Sequence, residues 1–234
     1  MNQLYSLENA LKFNWSSISG NLNSERISHL KNHLVGNKIL DAGCGGGGYV
    51  EFLAQKGLEV TGIDKYDQFL QIARDKGRIG TYIQGDITNL PFSDKTFDCT
   101  YCFDVLEHID DQLAIQELAR VTKNRIIIAV PKEDELMHRF GLTFLHYQDK
   151  THLRNYTEES LQNLVTKIDY SNLVIFPELS VPAKFLVREM IEHDSFNYSV
   201  KFIAKNILNR LSLKILNQAV YRQIHTGLVA IITL

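Results

Sequence analysis

The sequence predicts an open, doubly wound α/β sheet. From about residue 37, short apolar runs alternate with helical periodicities, the pattern of a parallel sheet flanked by helices. The first of these runs ends in a glycine cluster from which a helix begins. At 234 residues, 44% hydrophobic and 22% charged, the chain can bury a sizeable core without a disulfide or metal staple.

Seven strands are expected, at 38–42, 59–63, 81–84, 97–103, 125–130, 172–176 and 228–233. Helices are expected at 50–56, 68–76, 111–122 and 157–166; Asp110 or Asp111 is placed to cap the third, and Thr157 with Glu158 and Glu159 suits the start of the fourth. Residues 1–36 read as a helical lead-in to a domain spanning 37–234. Two segments break the alternation. Residues 134–156 are long and rich in His and aromatics, as a lid or substrate loop would be. Residues 181–217 insert helical sequence before the last strand, with Val200, Ile203, Ile207, Leu211 and Ile215 at helical spacing.

The formal charge of −2 excludes a broadly basic nucleic-acid binder. That total averages unlike parts, because residues 41–111 hold 6 basic and 13 acidic side chains. Three cysteines, Cys44, Cys99 and Cys102, are too few for a disulfide framework. The N-terminus lacks the pattern of a secretory signal and no run is long enough to span a membrane, so a cytoplasmic location is expected.

The run Lys38-Ile-Leu-Asp-Ala-Gly-Cys-Gly-Gly-Gly-Gly fits a ligand-cradling turn before a helix N-terminus. Gly43, Gly45 and Gly48 match a dinucleotide pattern, with Asp64 placed as a ribose-binding acid. The charges favour another cofactor. Asp41, two residues before the first glycine, would repel a pyrophosphate, whereas the sulfonium and ammonium of S-adenosylmethionine favour a carboxylate. Asp64 would hold the ribose hydroxyls, and Asp86 would accept from an adenine amino group while Ile87 packs on the ring.

The chain here resembles the class I S-adenosylmethionine-dependent methyltransferases, in particular the small-molecule branch often called type 11, which includes ubiquinone and menaquinone methyltransferases. The matches run in order: Ile39-Leu-Asp-Ala-Gly-Cys-Gly-Gly-Gly, Val60-Thr-Gly-Ile-Asp64, Gly85-Asp86-Ile87, Leu90-Pro91-Phe92, Phe97-Asp98, Val105-Leu-Glu-His-Ile109 and Glu117-Leu-Ala-Arg-Val121. They cover about residues 37–132. The resemblance implies a Rossmann-like seven-stranded sheet, mostly parallel with an antiparallel last strand. It implies Asp41, Gly43, Cys44 and Gly45 at the methionine end of the cofactor, Asp64 with Lys65 at the ribose, Asp86 and Ile87 at the adenine, and Phe103 near the cofactor's amino group. The family's Lys-Pro-Gly-Gly turn before the fifth strand is replaced by Thr122-Lys-Asn-Arg125, read as a shortened turn.

The activity implied is methyl transfer to a small-molecule acceptor by in-line displacement; the alternatives are a nicotinamide-dependent oxidoreductase and an inactive cofactor-binding scaffold. His108, following the fourth strand, is the first candidate for acceptor contact or general base, against a purely structural role. His146, Tyr147 and His152 are second candidates. His138, His146, Asp149 and His152 match no standard ligand spacing, so no metal site is expected. Cys99 and Cys102 lie on a strand with their side chains on opposite faces, which makes them core thiols rather than a redox pair. The last forty residues carry Lys201, Lys205, Arg210, Lys214 and Arg222 and no acid. A cap on the acceptor site or a subunit contact is the preferred reading of that basic amphipathic stretch, with a membrane surface or acidic partner through 200–217 as the alternative.

Overall fold

The computed structural model describes residues 16–133, 151–181, 207, 211 and 224–234. Two helices, α1 (Ser16–Ser19) and α2 (Ser24–His33), precede the sheet. The sheet consists of β1 (Lys38–Ala42), β2 (Glu59–Asp64), β3 (Thr81–Gln84), β4 (Phe97–Phe103), β5 (Thr122–Pro131), β6 (Asn172–Val181) and β7 (Ile224–Thr233). Between them lie α3 (Gly48–Ala54), α4 (Asp67–Asp75), α5 (Asp111–Val121) and α6 (Glu158–Val165).

The strand order is β3-β2-β1-β4-β5-β7-β6. Strands β1 to β5 are parallel, and β7 runs antiparallel to both β5 and β6. The chain therefore works outward from β1 to β3, then returns to β4 on the other side of β1. A crevice opens outside the carboxyl ends of β1 and β4, where such sheets bind ligands.

Period-2 alternation distributes the core over both faces of the sheet. Leu40, Cys102, Ile126, Ile128 and Val130 pack with Ile115 and Leu118 of α5 and Leu161 and Val165 of α6. Ile39, Cys99, Tyr101, Ile127 and Ala129 pack with Leu30 of α2, Val50 and Leu53 of α3 and Leu70 of α4. Cys99 and Cys102 thus enter opposite cores, both fully buried.

Capping follows local chemistry. Asp110, rather than Asp111, accepts from the backbone of Gln112 and Leu113 at the start of α5, and Thr157 forms a reciprocal capping box with Ser160 at α6. Arg120 of α5 binds Glu117, Asp94 and the carbonyls of Leu90 and Phe92, while Glu117 accepts from the Leu90 N–H. The Leu90-Pro91-Phe92 and Glu117-to-Val121 motifs are therefore two halves of one staple that fixes the loop before β4.

One expectation needs correction. Thr122-Lys-Asn-Arg125 is not a shortened turn, because β5 begins at Thr122, directly after α5. The Thr122 and Thr100 hydroxyls are buried together at 2.6 Å, and a register shift between Phe97 and Cys99 lets Phe97 pair with Thr122. Strands β6 and β7 also exceed their expected lengths, through Val181 and back to Ile224. Of the C-terminal apolar stripe, Ile207 and Leu211 are described; both are helical and 54% exposed. Among the described residues no helix is long and apolar enough to cross a membrane.

Asp98 ties the sheet to its entrance. Its carboxylate accepts from the backbone of Asn37 and Lys38, at the start of β1, and from Lys123 Nζ of β5. The Lys38 N–H, then Lys123, hold its pKa down at about 2. A depressed carboxylate stabilises the fold above its unfolded pKa, and that stability is lost as pH falls through the folded value. Asp98→Ala is expected to cost on the order of 2 kcal/mol at pH 7. The gap between variant and native in urea unfolding should close as pH drops from about 4 toward 2.

Candidate functional site

Two adjoining cavities open at the switch point between β1 and β4. The first, of about 310 Å³, is lined by Asp41, Gly43, Cys44, Gly45 and Asp64 on one side and by Phe103, Asp104, Glu107, His108 and His152 on another. The second, of about 280 Å³, includes Asp64, Lys65, Asp86, Ile87 and Thr151. Gly43, Asp64 and His108 line both.

Strand geometry delivers the acids. Asp41 is the penultimate residue of β1 and Asp64 ends β2, and both are more than nine-tenths buried. Asp64 accepts from the Gly45 N–H and the Tyr66 N–H, each at 2.9 Å, so one carboxylate pins the glycine loop. Burial raises its pKa against those hydrogen bonds. Asp41 makes no ion pair with any described cation. Burial pushes its carboxyl up to about 8, the Tyr101 hydroxyl works against that rise, and Asp64 adds to it. A buried carboxyl this far from its ordinary range, on the wall of a cavity, marks a candidate ligand site.

The sheet topology and this pair of acids agree with what the chain matches. Residues 40–130 match a family model described as a methyltransferase domain. That match covers about two fifths of the chain. The ubiquinone biosynthesis O-methyltransferase of Vibrio cholerae serotype O1 is 38% identical over 98 residues, 39% of this chain and 40% of that protein. The matched part thus spans about two fifths of the curated relative's length. The crystal structure of an S-adenosylmethionine-dependent methyltransferase from Archaeoglobus fulgidus superimposes with a TM-score of 0.67 at 19% identity, covering 98% of this chain and 100% of that one. Phosphoethanolamine N-methyltransferase 2 of Haemonchus contortus, solved with S-adenosylmethionine, gives 0.65 at 18% identity, covering 99% of this chain and 58% of that one. At such identities the two structures establish the fold.

Within the two cavities the expected cofactor residues come together, with altered detail. Cys44 is buried against Gly62, and its thiol is pushed well up by burial and by Asp41 and Asp64. Phe103 stacks edge-on to Tyr49, lies 5.1 Å from Tyr101 and sits under the Arg26 guanidinium at 4.8 Å. Asp86 is engaged locally: it caps a short 3₁₀ helix (Ile87–Asn89) through Thr88 and pairs with Lys65 at 2.9 Å. Those bonds, the Thr88 N–H foremost, lower its pKa. Lys65 is thus a partner of Asp86, and an adenine amino group would share that carboxylate with it.

His108 ends a second 3₁₀ helix (Leu106–His108). Its Nδ1 lies 3.0 Å from Thr151 Oγ1 and 3.3 Å from the Thr151 carbonyl. Donation from Nδ1 to the Thr151 carbonyl defines a neutral tautomer in which Nε2 is the basic nitrogen, whereas donation from the Thr151 hydroxyl to Nδ1 defines the other. Glu107 Oε1 is 4.0 Å from Nε2, and the His152 ring stands edge-on at 4.7 Å. Residues 151–154 are held there by Leu153 N–H on the Glu107 carbonyl and by Arg154 on the carbonyls of Leu106 and Ile109. Glu107, His108 and His152 each offer one ligand atom, all within 4.8 Å, so the described residues do contain a set able to hold a cation. The sequence considered a different His set and missed this one. His146 and Tyr147 lie outside the described residues, as do His138, Asp149 and most of the lid segment.

The sequence also missed a charge cluster beside the first cavity, buried except for Asp104. Arg26 of α2 pairs with Glu178 of β6 at 2.7 Å and with Asp104 at 2.9 Å, and His29 Nε2 is 2.9 Å from the other Glu178 oxygen. Glu178 is fully buried; burial raises its pKa against the His29 hydrogen bond and the Arg26 charge. Removing one member leaves the others uncompensated, so Arg26→Met is expected to destabilise by about 3 kcal/mol in denaturant unfolding.

The raised pKa of Asp41 has a consequence for stability. Folded Asp41 holds a proton that unfolded Asp41 has released, so its contribution is fully present below about pH 4 and is lost as pH rises through about 8. Asp41→Asn should remove this pH-dependent component; thermal melts between pH 5 and 9 should show the variant declining less than the native protein.

Proposed function

We propose that the protein is an S-adenosylmethionine-dependent methyltransferase acting on a small-molecule acceptor. The observation that carries this reading is the burial of Asp41 beside Asp64 with no described cation paired to Asp41. A dinucleotide would bring a pyrophosphate to this turn, and its charge would oppose the ionisation of Asp41. A sulfonium and an ammonium offer the opposite charge. The similarity to the Vibrio O-methyltransferase supports the same reading, and no reported similarity favours the oxidoreductase.

When bound, S-adenosylmethionine would supply an electrophilic methyl group that the acceptor attacks in line. The chain's own work would be alignment and proton handling. Asp41, Gly43, Cys44 and Gly45 would face the methionine end, Asp64 the ribose, and Asp86 with Ile87 the adenine in the second cavity. Asp64 has acceptor capacity beyond its two backbone donors, since a carboxylate offers about four lone-pair sites. Val130, Pro131, Leu179 and Thr226, on the side of Phe103 away from the glycine loop, would line the acceptor space. His108 Nε2 would take the proton of a hydroxyl acceptor, with Glu107 favouring the imidazolium that results. His152, and by sequence His146 and Tyr147, are second candidates for acceptor contact. By sequence, residues 134–156 would form a lid over this space, and residues 181–217 a helical insertion that shapes it. Three cysteines, all free, agree with a cytoplasmic location.

The test is transfer of a labelled methyl group from S-adenosylmethionine to small molecules of the source cell extract, read by mass spectrometry. A labelled product is expected. Tight binding of NADH with no binding of S-adenosylhomocysteine would overturn the reading. With an acceptor in hand, His108→Gln should lower kcat by about 10²-fold or more while leaving S-adenosylhomocysteine affinity near native. Loss of transfer on EDTA treatment would reassign Glu107, His108 and His152 from proton transfer to metal ligation.

A further inference from the structure

We propose that Arg78 is a positioning residue that latches α1 onto the glycine loop, making residues 16–18 a fixed wall of the cofactor's methionine end. The proposal rests on the S-adenosylmethionine reading above. A four-residue helix cannot sustain itself, and its last carbonyls have no partner within the helix. Here cations supply them. Arg78, in the connection between α4 and β3, donates from Nη1 to the Ser17 carbonyl at 2.5 Å and from Nη2 to the Ile18 carbonyl at 2.9 Å. Lys76 Nζ reaches the same Ile18 carbonyl at 2.7 Å.

The same guanidinium faces the other way as well. Nη1 donates to the carbonyl of Gly46, within the glycine loop, and Nε lies 3.3 Å from Glu51 Oε2 of α3. The side chain is only 3% exposed, so this charge is placed to join three backbone segments rather than to meet solvent. The loop is shaped for that contact. A Cβ at Gly45 would come within 2.7 Å of Ser17 Oγ, and one at Gly46 within 2.9 Å of the Ser17 carbonyl oxygen. These two glycines make room for α1.

The wall belongs to one cavity only. Ser16, Ser17 and Ile18 line the cavity that holds Asp41, Gly45 and Phe103, and they do not line the one that holds Asp86 and Ile87. The latch should therefore act on ligands with a methionine end and leave bare adenosine indifferent.

The experiment compares native protein with Arg78→Met and Arg78→Lys in the full chain, measuring affinity and dissociation rate for S-adenosylhomocysteine and for adenosine. Arg78→Met should bind S-adenosylhomocysteine about tenfold more weakly, chiefly through faster dissociation, with Arg78→Lys between it and native. Adenosine affinity should stay near native, and hydrogen exchange at residues 17–20 should quicken. Unchanged S-adenosylhomocysteine binding, or equal losses for both ligands, would overturn the latch. If Arg78→Met fails to fold, Lys76→Met removes one of the two cationic donors to the Ile18 carbonyl and should show the same selective loss at smaller size. Absence of S-adenosylhomocysteine binding by the native protein would instead overturn the cofactor reading itself.

Discussion

The site is organised around a carboxyl group that the fold has taken out of water without pairing it to a cation. Asp41 is the penultimate residue of β1, between Gly62 of β2 and Tyr101 of β4 in register, so a strand flanks it on each side and burial desolvates it. A lone buried charge is costly, and Asp41 meets that cost by holding its proton. The arrangement makes sense when a cation arrives, because the same burial that disfavours a bare carboxylate strengthens its attraction to a positive ligand. Asp64 extends the effect by holding Gly45 in place, which makes glycine-loop geometry and electrostatics one device.

The second constraint comes from outside the sheet. Helices α1 and α2 are held by long-range polar contacts: Arg78 and Lys76 on α1, Arg26 to Glu178 and Asp104, Glu25 to the Leu179 N–H, and the Tyr49 hydroxyl to the Asn23 N–H. These contacts join the N-terminal segment to α3 through Tyr49, to β6 through Glu178 and Leu179, and to the loops that carry Lys76, Arg78 and Asp104. The lead-in therefore completes the site walls on both sides of Phe103. Phe103 itself is fixed by Tyr49, Tyr101 and Arg26, so an aromatic at the junction of cofactor and acceptor space is held from three directions.

What the sequence reveals divides along physical lines. Strands β1, β3 and β4 have the predicted bounds because apolar runs end there in turn residues or acids. The glycine loop, Asp41 and Asp64 are legible because spacing within one βαβ unit carries their chemistry. Polar residues inside strands hide the rest. Lys123 and Asn124 look like a turn until Thr122 is seen paired with Phe97, and Glu178 looks like a strand end until Arg26 and His29 are seen beside it. Arg26 and Arg78 were invisible as site residues because their partners lie dozens of residues away or more and are in part backbone carbonyls. His152 was singled out for its loop, yet its place beside His108 depends on Arg154 holding carbonyls of the 106–109 turn.

The central claim is that Asp41 ionises to receive a cationic cofactor. Titration calorimetry of S-adenosylmethionine at pH 7, in two buffers of different ionisation enthalpy, counts the protons exchanged on binding. The native protein should release about one proton more than Asp41→Asn, because a carboxyl near pKa 8 is mostly protonated beforehand and ionised afterwards. The same proton count for both proteins, with binding intact, would contradict the account.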